Sequence, residues 1–284
     1  MWTSPNEEGA VVTGALKWNE VSIHPTAVIE KGAELGLNVS VGPFTCIEGG
    51  VTVGDDCVIG PHVSILRYTT LGKACAVHAG AVLGDLPQDL SFKSDESYLR
   101  IGANCRIREG VTLHRGTKPG TATELGDNCY LMAMAHCAHN VKLANNVILA
   151  NGALLGGYVE VGERAFISGH CLIHQFVRVG RLAFLSGGCG VSKDVPPFCT
   201  VHGLTVNRVA ALNMVGLRRA SMGPDERLQI QQAFALLYRS GLNTSQAVAH
   251  IKESFSGGPA FEIAAFVESS HRGICGFESA PEEG

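Results

Sequence analysis

The regular spacing of aliphatic residues is the dominant pattern in this chain. Every sixth residue from Ile23 to Leu83 is aliphatic. The same spacing resumes at Ile101 and, after skipping Pro119, continues to Leu185. A six-residue repeat matches neither the α-helical period of about 3.6 residues nor the two-residue period of a strand. It is typical of a parallel β-helix. In the first run, every sixth residue is aliphatic: Ile23, Ile29, Leu35, Val41, Ile47, Val53, Ile59, Ile65, Leu71, Val77 and Leu83.

Each hexad predicts one short strand and one corner, and three hexads predict a triangular coil whose aliphatic residues stack on those of its neighbours. A glycine follows many of these aliphatic residues, and we expect it to adopt positive φ as the chain turns the corner. Two segments, near 85–100 and 115–124, interrupt the repeat without changing its phase. Their polar, Gly, Thr and Pro content is typical of loops. We expect binding residues on both.

The repeat fades after Val191, and a helical pattern follows from about Asn207. A helix is predicted to begin at residues 223–226 and to end at 240–241, a second to be capped by Thr244, and a third to follow residues 257–259. The predicted fold is therefore all-β, a parallel β-helix with a small C-terminal α-helical domain. The predicted divisions are an N-terminal lead-in at 1–20, the β-helix at 21–200, the helical domain at 207–272 and a disordered tail at 273–284.

Composition narrows the class of protein. The 284 residues suffice for one large domain and one smaller domain. A formal net charge of −4 gives no reason to expect nucleic-acid binding. No apolar stretch approaches the roughly 20 residues of a transmembrane helix, and residues 1–14 lack the basic head and apolar run of a signal peptide. We therefore expect a cytoplasmic protein without a transmembrane segment.

The ten cysteines need a separate explanation. Cys137 occupies an inward repeat position, and Cys57, Cys75, Cys105 and Cys129 recur between repeat aliphatics, where small residues suit a tight coil. No Cys-x-x-Cys pair is present. We therefore interpret the cysteines as buried small hydrophobic residues in preference to disulfides or metal ligands, and we expect no metal site and no cofactor.

Histidine is the residue type that suggests catalysis. Near neutral pH, an imidazole can take a proton from a hydroxyl, as acyl transfer to a sugar alcohol requires. Taken singly, each histidine is also explained as an ordinary surface residue. The chain has eleven, and five fall in the second half of the repeat region: His114, His136, His139, His170 and His174.

Six short motifs, in order along the chain, resemble the UDP-N-acetylglucosamine O-acyltransferase family, whose members have left-handed β-helices. The resemblance extends from about Ile23 to Gly273. It implies a homotrimer with active sites between neighbouring prisms. It also implies transfer of an (R)-3-hydroxyacyl chain from acyl carrier protein to the 3-hydroxyl of UDP-N-acetylglucosamine, the first step of lipid A assembly. The motifs are Leu-Pro-Gln-Asp-Leu at 86–90, Thr-Leu-His-Arg-Gly-Thr at 112–117, Met-Ala-His-Cys-Ala-His-Asn at 134–140, Ile-His-Gln-Phe at 173–176, Lys-Asp-Val-Pro-Pro-Phe at 193–198 and Gly-Leu-Arg-Arg at 216–219.

The resemblance also implies roles for individual residues. His139 matches the general base that deprotonates the sugar hydroxyl, and His136 matches a neighbouring cleft histidine. Asp89 matches a carboxylate that holds the sugar. His174 and Gln175 match residues that line the nucleotide-sugar site.

Four further positions complete the implied site. Asn213 and Arg219 match a pair near the uridine and phosphates, where a guanidinium can donate two hydrogen bonds to a diphosphate. The amide of Gly157 matches an oxyanion donor, and Gly187 matches the position that limits the length of the acyl groove. Each glycine is also explained as an ordinary β-helix glycine.

The chain departs from the family pattern near the base. Asn140 stands where an aspartate commonly follows the base histidine, so the ring would be oriented without a stabilising charge. We therefore expect a weaker base. Tyr158 replaces a common histidine near the sugar, Ser91 replaces a lysine, and Ala220 replaces a residue in the basic Arg218–Arg219 segment.

Several alternatives remain open at the level of sequence. The acceptor is either UDP-N-acetylglucosamine or its 3-amino analogue, which would make the reaction an N-acylation. A second alternative is a metal enzyme with ligands His114, His136 and His139. A third is a nucleotide-sugar-binding protein with weakened or lost catalysis. Acyl carrier protein is acidic, so its docking requires a basic rim, for which the candidates are Arg218, Arg219, Arg227 and Arg239.

Overall fold

The computed structural model describes residues 23–93, 96–203 and 206–277. The predicted lead-in at 1–20, which includes residues 1–14, lies outside these residues. Most strands have only two residues, and they form three largely parallel sheets in which nearly every strand pairs with the strand three places later. The three sheets are the faces of a triangular prism, and each coil of the chain contributes one strand to each face.

Face 1 has nine strands: β1 (Val28–Ile29), β4 (Cys46–Ile47), β7 (Ser64–Ile65), β10 (Val82–Asp85), β13 (Thr112–His114), β16 (His136–Cys137), β19 (Leu154–Leu155), β22 (Leu172–Ile173) and β25 (Gly190–Val191). Face 2 has eight: β2 (Glu34–Leu35), β5 (Thr52–Val53), β8 (Thr69–Leu71), β11 (Tyr98–Ile101), β14 (Ala122–Leu125), β17 (Lys142–Leu143), β20 (Glu160–Val161) and β23 (Arg178–Val179).

Face 3 has eleven strands: β3 (Ser40–Val41), β6 (Val58–Ile59), β9 (Ala76–Val77), β12 (Arg106–Ile107), β15 (Tyr130–Leu131), β18 (Ile148–Leu149), β21 (Phe166–Ile167), β24 (Phe184–Leu185), β26 (Cys199–Val201), β27 (Arg208–Leu212) and β28 (Gly276–Phe277). Strand β27 is antiparallel to β26 and parallel to β28. The prism therefore ends in a short mixed edge.

The second residue of each two-residue strand points into the prism, and the first points outward. Ile47, Ile65, Leu83 and Leu113 are paired in register along face 1, and all four are fully buried. The core is therefore a column of stacked aliphatic residues, as the six-residue repeat predicts. Removal of this apolar surface from water drives the coils together.

The corner glycines do not behave as the sequence pattern suggests. Of the glycines that directly follow a repeat aliphatic, Gly84 has positive φ, whereas Gly36, Gly54 and Gly72 do not. Positive φ instead occurs two residues later, as at Asn38 (57°). Glycine is required because a Cβ at Gly72 would lie 2.6 Å from the carbonyl carbon of Gly102 in the next coil. The expected positive φ is therefore wrong for Gly36, Gly54 and Gly72. These glycines instead allow close approach between successive corners.

The cysteines of the described chain are free, and nearly all are buried. Several form a ladder beside the glycine corners. The thiols of Cys57, Cys75 and Cys105 donate to the carbonyls of Gly72, Gly102 and Gly126 in successive coils, at 3.1, 3.2 and 3.2 Å. They act as small core residues with weak hydrogen bonds to the corners.

Both interruptions of the repeat leave the prism at the same edge, which we call the 1–2 corner because it joins each face 1 strand to the following face 2 strand. One loop connects β10 to β11 and the other connects β13 to β14. The strands extend into the predicted loop boundaries, because residues 82–85, 98–101 and 122–125 continue the parallel ladder. The two loops therefore overhang one edge of the prism.

The C-terminal helices are α1 (Met214–Arg219), α2 (Pro224–Tyr238), α3 (Thr244–Ser254) and α4 (Gly258–Glu268). Two details differ from the sequence prediction. Asn243, and not Thr244, caps α3, because its side chain accepts from the amide of Gln246, whose side chain accepts in return from the amide of Asn243. Residues 208–212 form β27 instead of helix, because they pair with the last coil.

The predicted disordered tail is also wrong at its start. Ile274 bridges to Asp194, and β28 pairs with β27. This segment is ordered because it completes the edge of face 3, and the phenol of Tyr238 donates to the carbonyl of Cys275 at 2.9 Å. Residues 278–284 lie outside the described residues. In the described ranges, no helix is long and apolar enough to cross a membrane.

The contact at Gly72 generates a stability prediction. We expect Gly72→Ala to lower the free energy of unfolding by about 1–3 kcal/mol, because the new methyl group overlaps backbone that cannot move independently of its coil. Gly190→Ala is the matched control, since a Cβ there meets no atom within 4 Å. Guanidinium unfolding midpoints measure both variants. Equal midpoints would contradict the close-approach explanation.

Candidate active site

The 1–2 corner collects most of the residues that the sequence singles out. His139 and Asn140 lie between β16 and β17, Gly157 and Tyr158 lie between β19 and β20, and the pair His174–Gln175 lies between β22 and β23. These three pairs therefore occupy the same edge in successive coils. The loop that carries Asp89 overhangs them, and His136 points outward from face 1 beside them.

His139 is mostly buried, with 9% of its surface exposed. Its Nδ1 lies 3.1 Å from Oδ1 of Asn140. The backbone amide of Thr117 donates to the same oxygen at 3.1 Å. Because an amide N–H only donates, the Asn140 atom that faces it is the oxygen. Nδ1 must therefore carry the hydrogen in the neutral ring, which leaves the lone pair on Nε2.

Asp89 lies opposite this lone pair. Its Oδ2 is 3.7 Å from Nε2 of His139. The amide and hydroxyl of Ser91 both donate to the other oxygen, Oδ1, at 2.8 Å. These hydrogen bonds, with a smaller contribution from His139, lower the pKa of Asp89. Ser91 therefore holds an ionised carboxylate in position.

Arg115, which sequence reasoning did not single out, attaches the Asp89 loop to the prism. Only 5% of its surface is exposed. Its guanidinium carbon lies 5.1 Å from the ring centre of Tyr68 and 5.7 Å from that of Phe92. Since Phe92 belongs to the same loop as Asp89, these cation–π contacts tie the loop to the prism.

Gly157 has a structural reason to be glycine that sequence reasoning missed. A Cβ at this position would lie 2.3 Å from Cε1 and 2.6 Å from Nε2 of His139. The imidazole therefore occupies the space that a side chain would need. In the described chain, the Gly157 amide hydrogen has no protein acceptor, so it is available to a bound group beside His139.

His174 and Gln175 are held by Arg272, which the sequence did not single out. Arg272 lies in the segment that follows α4. Its Nη1 donates to the Gln175 carbonyl at 2.9 Å, and its Nε donates to the Ser192 carbonyl at 3.1 Å. Its Nη2 lies 3.2 Å from Nδ1 of His174. The C-terminal segment therefore helps to fix the nucleotide-sugar candidates on the corner.

Asn213 and Arg219 do not join this cluster. Both line a groove of about 930 Å³ on face 3, together with Phe166 and Phe184. Asn213 caps α1 by accepting from the amide of Gly216 at 2.9 Å. On a triangular prism, face 3 is opposite the 1–2 corner. One copy of the chain therefore does not bring Arg219 to His139.

Gly187 lies at a different edge, between β24 on face 3 and β25 on face 1. Its φ is not positive, and a Cβ there would make an ordinary contact of 3.5 Å with the Gly169 carbonyl oxygen. Nothing in the fold of one copy therefore requires glycine here. This distinguishes Gly187 from Gly72 and Gly157.

The arrangement of His114, His136 and His139 does not suit a metal ion. The first two rings meet edge to face, with centres 4.9 Å apart. Nδ1 of His136 is hydrogen-bonded to the hydroxyl of Thr112 at 2.7 Å. Among residues 23–93, 96–203 and 206–277, no three His, Cys, Asp or Glu side chains converge on a metal position. The described geometry therefore gives no support to the metal-enzyme alternative.

Comparison with known proteins decides the family. Residues 194–275 match the family model described as Udp N-acetylglucosamine O-acyltransferase, Domain 2, and residues 33–67 match that of bacterial transferase hexapeptide repeats. An acyl-[acyl-carrier-protein]–UDP-N-acetylglucosamine O-acyltransferase of Burkholderia multivorans is 46% identical over 89% of this chain and 98% of its own length. The chain belongs to the UDP-N-acetylglucosamine O-acyltransferase family.

Other relatives support the same family assignment. The Synechocystis enzyme of the same name is 42% identical over 63% of this chain, and the match spans less than two thirds of that enzyme's length, 64%. The solved UDP-N-acetylglucosamine acyltransferase of Campylobacter jejuni superposes with a TM-score of 0.84 and 36% identity, covering 90% of this chain and all of that one. The predicted left-handed β-helix with a small helical C-terminal domain is confirmed, as is the family predicted from the six motifs.

The half-buried position of His136 leads to a prediction about pH. Burial, with a smaller contribution from His114, lowers the pKa of His136 to about 4. In the unfolded chain, the His136 imidazole binds a proton at its ordinary pKa of about 6.5. The stability associated with a neutral His136 is therefore present above that pH and is lost as the pH falls toward 4.

We therefore expect the free energy of unfolding of the wild-type protein to decrease between pH 6.5 and 4.5, and that of His136→Asn to decrease less. Guanidinium unfolding at several pH values measures the slope for each protein. Parallel slopes would show that His136 does not titrate differently in the folded and unfolded states.

Proposed function

We propose that this protein transfers an (R)-3-hydroxyacyl chain from acyl carrier protein to the 3-hydroxyl of UDP-N-acetylglucosamine, the first step of lipid A assembly, in the cytoplasm. The observation that carries this proposal is the geometry of His139. Its Nδ1 hydrogen is bound to Asn140, and its Nε2 lone pair faces the Asp89 loop. A neutral imidazole held in this way is equipped to act as a general base.

In the proposed reaction, Nε2 of His139 takes the proton of the sugar 3-hydroxyl as that oxygen attacks the thioester carbonyl carbon. The negative charge passes to the former carbonyl oxygen, where the amide of Gly157 is a suitable donor. Collapse of this intermediate breaks the carbon–sulfur bond. The proton on His139 then passes to the leaving thiolate, which restores the neutral ring.

Asp89 alters the expectation of a weakened base. Asn140 brings no charge to the Nδ1 side of the ring, but the Asp89 carboxylate lies 3.7 Å from the nitrogen that becomes protonated. A negative charge at this distance stabilises an imidazolium. Asp89 therefore supplies, from the opposite side, part of the charge that an aspartate at position 140 would supply. It remains suited to hold the sugar as well.

The outward side chains of the three faces support an active site between copies. Face 2 carries a ladder of charges at Arg100, Glu124, Lys142, Glu160 and Arg178. By contrast, face 3 carries Tyr130, Ile148, Phe166 and Phe184, and face 1 carries the exposed Leu154 and Leu172. Two different apolar faces on one copy suit a heterologous contact, which forms a ring when the rotation between copies closes.

Packing face 3 of one copy against face 1 of the next brings the Arg219 groove toward the 1–2 corner. It would unite His139 and Asp89 of one copy with Asn213 and Arg219 of its neighbour. A three-fold ring of this kind explains why the candidate site residues lie partly at the 1–2 corner and partly on face 3. We therefore propose a homotrimer. Gly187 lies at the edge between these two faces, where an acyl chain can follow the contact.

The substrate-binding roles follow from this arrangement. Asn213 and Arg219 bind the uridine and phosphates, His174 and Gln175 line the nucleotide-sugar site, and His136 and Tyr158 flank the sugar. The absence of a side chain at Gly187, which the fold does not demand, supports a longer acyl groove than a bulky residue would allow.

Acyl carrier protein is the proposed acyl donor and docking partner. Arg218 and Arg219 are exposed and suit an acidic partner. Arg227 and Arg239 are weaker candidates, because their guanidinium groups already contact this chain. Arg227 donates to the Met222 carbonyl at 2.8 Å, and Arg239 packs over Phe234 and Phe277.

The activity test uses (R)-3-hydroxyacyl carrier proteins of several chain lengths with UDP-N-acetylglucosamine and, separately, with its 3-amino analogue. We expect transfer to the hydroxyl acceptor and a loss of at least about 1000-fold in kcat for His139→Ala, because the general base is removed. Faster turnover of the 3-amino analogue would mean that the amino sugar, and not UDP-N-acetylglucosamine, is the acceptor. Sugar binding without turnover in either protein would favour the repurposed binding protein.

A complementation test addresses the site between copies. His139→Ala and Arg219→Ala are each expected to be nearly inactive. Co-expression in equal amounts gives trimers of random composition, in which about a quarter of all sites combine an intact His139 with the intact Arg219 of the neighbouring copy. About a quarter of wild-type activity should therefore return in the whole population. Mixing separately purified homotrimers without subunit exchange is the control. No recovery in verified mixed trimers would contradict a shared site.

A further inference from the structure

Thr117 connects the two residues at which this chain departs from its family near the base. It lies in the loop between β13 and β14, with 6% of its surface exposed. Its amide and its hydroxyl both donate to Oδ1 of Asn140, at 3.1 and 3.0 Å. The same hydroxyl oxygen lies 3.0 Å from the phenol oxygen of Tyr158.

The number of hydrogens fixes the direction of these bonds. A threonine hydroxyl has one hydrogen, and here it is directed to Asn140. The phenol of Tyr158 must therefore donate to Thr117. The hydrogen bonds run from Tyr158 to Thr117 to Asn140, whose oxygen also accepts from Nδ1 of His139. Asn140 Oδ1 thus receives three donors, which prevents its amide group from reversing.

We propose that Thr117 is a positioning residue that, with Tyr158 behind it, locks the Asn140 amide and so keeps the lone pair of His139 on Nε2. This inference rests on the proposed function, in which His139 is the base. An asparagine can rotate its amide and offer either an acceptor or a donor to the ring, whereas a carboxylate presents only acceptors. A chain with asparagine at position 140 therefore needs a device that fixes the amide.

The simpler explanation is that Thr117 only closes its loop. The loop has other hydrogen bonds for that purpose. The amide of Lys118 donates to the hydroxyl of Thr121 at 3.1 Å, and the amide of Gly120 donates to the Glu96 carbonyl at 2.9 Å. Thr121 therefore provides a matched control in the same loop, because its hydroxyl donates back to the Lys118 carbonyl at 2.8 Å.

The kinetic test compares Thr117→Val, Thr117→Ser and Thr121→Val in the full-length trimer. We expect Thr117→Val to lower kcat by about tenfold, with the KM for the nucleotide sugar nearly unchanged, because the base is disordered and the sugar contacts remain. Thr117→Ser should restore most of the rate, since it keeps the hydroxyl. An equal loss in Thr121→Val would overturn the proposal in favour of loop closure.

A double-mutant cycle tests whether Thr117 acts through Asn140. In an Asn140→Ala background, Thr117→Val should have no further effect on kcat, because the amide that it holds is gone. Alanine is compatible with the positive φ at this position, as Ala74 adopts φ of 55° in the same fold. A tenfold loss in both backgrounds would mean that Thr117 acts by another route, and the inference would be wrong.

A measurement that does not depend on turnover separates this inference from the proposed function. In protein labelled with ¹⁵N-histidine, with His139→Ala used for assignment, the neutral His139 ring should be protonated at Nδ1. Thr117→Val keeps the backbone donor to Asn140 but removes the hydroxyl donor and the link to Tyr158. The amide is then held by one hydrogen bond fewer, so a detectable fraction of the second tautomer should appear. A wild-type ring protonated at Nε2, or a tautomer unchanged by Thr117→Val, would refute the positioning role. An inactive wild-type protein with the expected tautomer shift would refute only the proposed reaction.

Discussion

The stacking of successive coils in register is the constraint on which the rest of the structure depends. Each strand pairs with the strand one coil later, so every side chain lies directly above or below a fixed neighbour. Burial of the central aliphatic column stabilises this stacking, and the corner glycines permit it, because backbone from the next coil fills the space of their absent side chains. The backbone of each interior strand is paired on both sides, so the ladder sets the position of outward residues as well as inward ones.

The candidate active site uses this rigidity. His139, Gly157 and Gln175 stand at equivalent places in three successive coils, and the imidazole of the first occupies the space left open by the second. The loops that carry Asp89 and Thr117 emerge from the same corner in the two preceding coils. The parallel ladder thus converts distant sequence positions into neighbours along one edge, and the inserted loops cover that edge.

The electrostatics of the corner are distributed among several groups. The ring of His139 contacts a neutral amide on its Nδ1 side and faces a carboxylate on its Nε2 side. Ser91 holds that carboxylate, and Arg115 attaches the loop that carries it. An asparagine beside His139 is therefore compatible with the proposed general-base role, because the stabilising charge and the orienting hydrogen bond come from different residues.

The sequence by itself determined the coil, the buried column and the family, because a six-residue period has few structural solutions and the motifs lie at fixed spacing along it. It also located His139, Asp89 and the glycines. It did not reveal that Gly72 serves close approach instead of positive φ, that Ile274 to Phe277 complete a sheet, or that Thr117, Arg115 and Arg272 support the site. Only the tertiary structure decided these points, because each depends on which atoms of another coil, loop or terminal segment occupy the adjoining space, and local sequence patterns do not specify those distant neighbours.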